Sequence, residues 1–150
     1  MNVISQACRN GLLAATFVAI ASVAAAAEIG QIKVAKGQVS VERKGETLAG
    51  TVGLRLEAAD VVKTGADGSV GITMSDNSLL SAGPNSALAL ERFEFDPTTS
   101  QGRFDAQLQR GTLSVISGRI AKQSPQAMTV RTPSAALAVR GTEFVVAATE

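Results

Sequence analysis

The sequence contains no histidine, no tryptophan and no tyrosine, and its single cysteine is Cys8. Each absence removes a class of chemistry. Histidine is the side chain best suited to proton transfer near neutral pH and the commonest metal ligand. Without it there is no Ser-His-Asp or Cys-His arrangement and no histidine-based zinc site. Cys8 lies in a stretch read below as removable, so residues 28–150 carry no thiol for catalysis, metal binding or disulfides. A cysteine-free domain is compatible with an oxidising compartment. Phe is the only aromatic, so the Trp and Tyr faces on which sugars usually stack are missing. Neither sign of charge dominates. There are 14 basic and 13 acidic residues, and without Arg9 the balance is 13 to 13. Nucleic-acid binders usually show a marked basic excess, so that partner class is disfavoured. The expectation is a non-enzymatic protein with no cofactor and no metal.

What is present is Val, Ala, Leu and Ile, small side chains whose branched members pack well in pleated sheets. A chain of 150 residues suits one domain and can bury enough surface to fold alone. Residues Met1 to Ala27 read as a Sec-type signal peptide. Arg9 supplies the positive n-region, and Gly11 to Ile20 is the apolar h-region. Ala25-Ala26-Ala27 places small residues before a cut at Ala27/Glu28. The competing reading is a retained anchor, but the apolar run is barely long enough to span a bilayer and is rich in Ala. Cys8 precedes the apolar run, which argues against a lipoprotein. The expected division is a signal peptide at 1–27 and one β domain at 28–150, exported to the periplasm or secreted. No stable membrane span is expected once the leader is cut.

From Glu28 onward, short apolar runs are broken by Gly, Asp, Asn and Pro. Ile32-Lys33-Val34 and Val39 to Glu42 read as strands, with a turn at Lys44-Gly45-Glu46. Leu54-Arg55-Leu56 and Asp60 to Thr64 follow, then the turn Gly65-Ala66-Asp67-Gly68. Ser69 to Met74 alternates with Val70, Ile72 and Met74 on one face. Gly83-Pro84-Asn85-Ser86 is a strong turn signal, because Pro fixes φ and Asn tolerates the left-handed region. Ala87 to Phe95 places Leu88, Leu90, Phe93 and Phe95 inward. The strands Leu90–Phe95 and Arg103–Leu108 are expected to pair as a hairpin around the loop Asp96–Gly102, which is the choice for a mobile contact region. Gly111 to Val115 echoes Gly37 to Val41. The strands Met128–Arg131, Leu137–Arg140 and Glu143–Val146 close the chain. Ser134 to Leu137 is the one helix candidate, too short to stand alone. The expected fold is all-β: a single small domain of short strands, β-solenoid-like or a twisted β-sandwich.

Several patterns carry no chemistry. Asp60, Asp67 and Asp76 do not form the D-x-D-x-D-G spacing of a calcium loop. Gly65, Gly68 and Gly71 have the wrong spacing for a phosphate loop, and no helix or Lys follows. No G-x-S-x-G or S-x-x-K occurs after residue 27. Arg140-Gly141-Thr142 is the sharpest local feature. Arg140 offers a guanidinium fork to a partner carboxylate. The backbone reading carries more weight, because Gly inside a strand pattern usually marks a bulge or a close approach. Thr132-Pro133 reads as a strand start, since Pro lacks the donor a central strand needs.

Taken in order, the motifs Gly37-Gln38-Val39-Ser40-Val41, Ala59-Asp60-Val61-Val62-Lys63-Thr64-Gly65, Asp76-Asn77-Ser78, Gly83-Pro84-Asn85-Ser86, Arg110-Gly111-Thr112-Leu113-Ser114-Val115, Thr132-Pro133-Ser134-Ala135 and Val139-Arg140-Gly141-Thr142-Glu143-Phe144 resemble the FecR-domain family. The resemblance covers nearly all of residues 28–150. It implies an all-β, solenoid-like periplasmic domain that acts by contacting other proteins. In the best-known members a cytoplasmic anti-sigma segment and one transmembrane helix precede this domain, which reads the state of a TonB-dependent outer-membrane receptor. Here only a short n-region precedes the apolar run, so the expectation is the sensor-side module exported alone. The leading reading is a protein-interaction module in envelope sensing or signalling, with an envelope protein as partner. Arg140, Gly141, Thr142, Thr132 and Pro133 are its candidate contact or signature residues. The alternative is a non-catalytic domain that binds an envelope glycan or another ligand.

Overall fold

A computed structural model describes residues 26–138 and 142–149. The strands, in chain order, are β1 (Glu28–Lys36), β2 (Val39–Arg43), β3 (Glu46–Ala49), β4 (Arg55–Glu57), β5 (Val61–Thr64), β6 (Ser69–Met74), β7 (Leu79–Ala82), β8 (Ala87–Phe95), β9 (Gly102–Ile116), β10 (Met128–Arg131), β11 (Ala136–Ala138) and β12 (Glu143–Ala148). One short helix, α1 (Arg119–Gln123), and a 3-10 turn at Pro125–Ala127 lie between β9 and β10. The signal-peptide assignment falls almost wholly on residues outside those described.

All twelve strands join one sheet, and β9 is its spine. Its first part pairs with β8 on one side and with β10 on the other. Its last six residues pair with β7 and β12. One half of the sheet therefore runs β3-β2-β5-β8-β9-β10-β11, and the other runs β4-β1-β6-β7-β9-β12. Between them β9 bends at Gly111, whose φ of 89° lies in the region that favours glycine. The all-β expectation is met by a curled sheet whose halves share one core. Among the described residues every pairing is antiparallel except β9 with β10.

The core follows the alternation in the sequence. Val70, Ile72 and Met74 are buried, as are Leu88 and Leu90. They join Ile32, Val41, Leu56, Val62, Leu80, Phe104, Leu108, Leu113 and Val115 in a single cluster drawn from both halves. Phe93 packs edge to face on Phe104, with ring centroids 5.5 Å apart. The expected hairpin forms, from Leu90↔Ala106 out to Phe95↔Gly102.

Two local expectations are corrected. Ser134 to Leu137 is not helical: Thr132 to Ala135 forms a turn closed by Thr132 N–H to the Ala135 carbonyl at 2.7 Å, and β11 starts at Ala136. Thr132-Pro133 therefore sits in the β10–β11 turn, where the missing Pro donor costs no ladder bond, and does not start a strand. The helix lies instead at Arg119–Gln123.

Candidate functional site

The motif residues gather into three polar knots where segments distant in sequence meet. In the first, the Asp60 carboxylate is buried and accepts from Arg43 Nε at 2.9 Å, Arg43 Nη2 at 2.6 Å and the Glu57 N–H at 2.9 Å. Arg43 also donates to the Arg55 carbonyl at 2.8 Å and pairs with Glu57 at 3.1 Å. The hydrogen bond to Asp60 holds the Arg43 guanidinium above its ordinary pKa.

The second knot joins β5, the Gly83–Ser86 turn and the bend in β9. Thr64 Oγ1 donates to the Gly83 carbonyl at 2.6 Å and accepts from the Ser86 N–H at 2.9 Å. Ser86 Oγ donates to the Thr112 carbonyl at 3.2 Å and accepts from the Thr112 N–H at 3.1 Å. A side chain at Gly111 would overlap Ser86, so the bend needs glycine for space as well as for φ. The echoing Gly37, also at positive φ, abuts the Asp67 backbone in the same manner. Beside it the Gly65 N–H donates to the Gln38 carbonyl at 2.9 Å.

The third knot caps α1 from a distance. Asp76 is fully buried; its carboxylate accepts from the Ser78 N–H at 3.0 Å, Ser78 Oγ at 2.8 Å and the Ile120 N–H at 3.3 Å. Ser78 Oγ in turn accepts from the Gly118 N–H at 2.9 Å. Across these knots, no buried side-chain nitrogen or oxygen among the described residues lacks a partner. Groups spent in this way hold the chain and are not presented to a ligand. No group of three or more His, Cys, Asp or Glu side chains that could hold a metal occurs among the described residues.

Of the residues singled out from sequence, Arg140 and Gly141 lie outside the described residues. Thr142 is exposed, and its carbonyl accepts from the Ser117 N–H at 2.8 Å. Thr132 and Pro133 sit in the β10–β11 turn, and no hydrogen bond joins them to Thr142 among the described residues. The Asp96–Gly102 loop is extensively tied. The Asp96 N–H donates to the Gln101 carbonyl at 2.8 Å, and Asp96 Oδ1 accepts from the Thr98 N–H at 2.9 Å. Arg119 stacks on Phe95 at 5.2 Å and donates to the Pro97 carbonyl and Ser100 Oγ at 2.8 and 2.7 Å.

The outward surface is mixed: charged side chains such as Arg55, Arg92, Glu94 and Arg131 stand beside several apolar ones. Val34, Leu79, Ile116 and Val145 are exposed on β1, β7, β9 and β12. A hollow of about 380 Å³ opens between Glu28, Ile29 and Ser75 on one side and Phe93, Phe95 and Pro97 on the other. Sequence reading did not single out these exposed residues. Alternation marks two faces of a strand, but two apolar faces look alike in it.

Among models of protein families, that of FecR, described as FecR protein, matches residues 60–150. No curated protein and no solved structure matches the chain. The matched span begins at Asp60, the buried centre of the first knot, and takes in the other two.

Proposed function

Since the chain belongs to the FecR family, we propose that it is an exported module that binds another envelope protein in a sensing or signalling pathway. The family is one of regulation and signalling at the envelope. Among the described residues no helix is long and apolar enough to cross a membrane. The observation that carries the reading is the division of labour in the domain. The polar motif residues are consumed in internal knots, while open strand edges and a few exposed apolar side chains stand among the surface charges. Such surfaces suit a partner that adds a strand or lays an apolar face against the sheet.

In-cell crosslinking of the tagged protein, followed by mass spectrometry of the captured envelope fraction, tests this. A reproducible single partner, such as an outer-membrane receptor or a sensor kinase, is expected. The same digest is expected to show a mature N-terminus at Glu28. Background proteins alone at saturating crosslinker would remove the protein-partner reading. Binding of muropeptides to the purified protein would replace it with a glycan-binding one.

A further inference from the structure

Four strands of the described sheet are paired on one side only: β3, β4, β11 and β12. Sheet edges attract foreign strands, and proteins blunt them with shortness, charge, Pro or bulges. Three of the four are blunted. Strand β4 has three residues and carries Arg55 and Glu57, engaged with Glu28 and Arg43. Strand β11 has three residues among those described and follows directly on the Pro133 turn. Strand β3 has four and begins at Glu46, beside Lys44 in the hairpin turn. Strand β12 is the exception. It has six residues, Glu-Phe-Val-Val-Ala-Ala, with one charge at its start, no Pro and an unbroken register on β9.

The open groups of β12 follow from the ladder. The Ser117 N–H donates to the Thr142 carbonyl, so that pair is hydrogen-bonded. Antiparallel pairs alternate, so Phe144, Val146 and Ala148 spend their backbone bonds on β9. Glu143, Val145 and Ala147 then turn N–H and C=O outward. Val145 is 70% exposed, more than any other large apolar side chain described.

We infer that β12 pairs antiparallel with β12 of a second copy, about a two-fold axis at Val145. In that register Glu143 meets Ala147 of the other copy and Phe144 meets Val146. Outward side chains meet outward ones, inward meet inward, and the open backbone groups bond in pairs. Charge selects the same arrangement. Glu143 marks one end of β12. Arg110 marks the other, next to the Gly111 that pairs with Ala148, and it makes no ion pair among the described residues. Antiparallel pairing places the two Glu143 side chains at opposite ends of the contact, each towards the end where the other copy carries Arg110 on β9, whereas parallel pairing would set Glu143 beside Glu143. The contact is isologous and closed, so it stops at a dimer. The inference goes beyond the envelope-partner reading and is independent of it, because it is measured on the purified protein alone.

The test uses the exported, purified chain carrying Cys8→Ser. Sedimentation is expected to give a dimer mass, and Val145→Lys, which opposes two like charges at the axis, is expected to give the monomer mass with an unchanged circular dichroism spectrum. Val145→Cys is expected to form an interchain disulfide on mild oxidation, because opposed residues of a bonded pair lie about 5.5 Å apart at Cα. Ala147→Cys is expected to form none, since its two copies would stand about 13 Å apart along the strands. A monomer at the highest soluble concentration overturns the inference. So does a dimer that tolerates Val145→Lys, or equal crosslinking by the two cysteine variants.

Discussion

At the scale of single residues, the domain is held by a few polar side chains whose partners are far away in sequence. Arg43 and Asp60 are the clearest pair, and they are not symmetric. The Asp60 side chain is 1% exposed, while Arg43 retains 22% and has Glu57 as a second partner. Removing the cation strands a buried carboxylate, whereas removing the carboxylate leaves a cation that still reaches water. Arg43→Met is therefore expected to cost about 3–5 kcal/mol and Asp60→Asn less, about 1–3 kcal/mol. Urea unfolding of the two variants checks the order; equal losses would mean that the pair is worth no more than its hydrogen bonds. Asp96 provides a pH test. Its carboxyl is held below the ordinary 3.8 by the Thr98 N–H, and it is solvent-exposed. A depressed folded-state pKa gives a contribution present above the unfolded value and lost as pH falls through the folded one. Carboxyl titration by NMR is expected to place the Asp96 midpoint under 3.8, and the protection of the Thr98 amide, measured against its intrinsic exchange rate, is expected to fall only in that acid range.

At the scale of elements, what could be read from sequence divides along a physical line. Strands whose faces differ were legible: Ser69–Met74 buries Val70, Ile72 and Met74, and the hairpin around Asp96–Gly102 forms as the turn chemistry implied. Strand β3 was not singled out, because its only half-buried residue is Leu48 among polar neighbours. Strand β9 looks like two pieces in the sequence, since Gly111 resembles a start locally and becomes a mid-strand bend only once Ser86 packs against it. Helix α1 was invisible for a similar reason. Its N-cap, Gly118, makes no side-chain cap bond, and the acceptor for the Ile120 N–H is Asp76, more than forty residues earlier. The candidate site was the least legible part, because Val145 matters through the edge it occupies, a property of sheet order that no local pattern holds. Asp76→Ala removes three acceptor contacts at once and leaves buried N–H groups at Ser78 and Ile120 unpaired. It is expected to destabilise by about 2–4 kcal/mol, with amide exchange in Arg119–Gln123 rising above that global loss. Unchanged protection of those amides would show that α1 holds itself.

At the scale of the whole molecule, the two halves of the sheet are not separable units. They share β9, and the buried side chains from both form one cluster. Most of the strand pairings join segments distant in the chain, as with β1 on β6 and β7 on β9, which favours slow, all-or-none folding. Gly111 is where this unity can be probed, since it opens the ladder of one half by pairing with Ala148, directly after Arg110 pairs with Ala87 in the other, and it contributes a side chain to neither. Gly111→Ala imposes a left-handed conformation on a residue with a Cβ and drives that Cβ into Ser86. The expected cost is about 2–4 kcal/mol. If the halves are one cooperative unit, amide protection falls by the same factor, about thirtyfold at 2 kcal/mol, at Val41 and Val62 in one half and at Val70 and Ile72 in the other. Loss confined to β7, β9 and β12 would mean that the far half folds without the bend. In a single unit, strain introduced at the bend reaches the ends of both half-sheets, so binding at an edge such as β12 stabilises the whole domain and not a local patch.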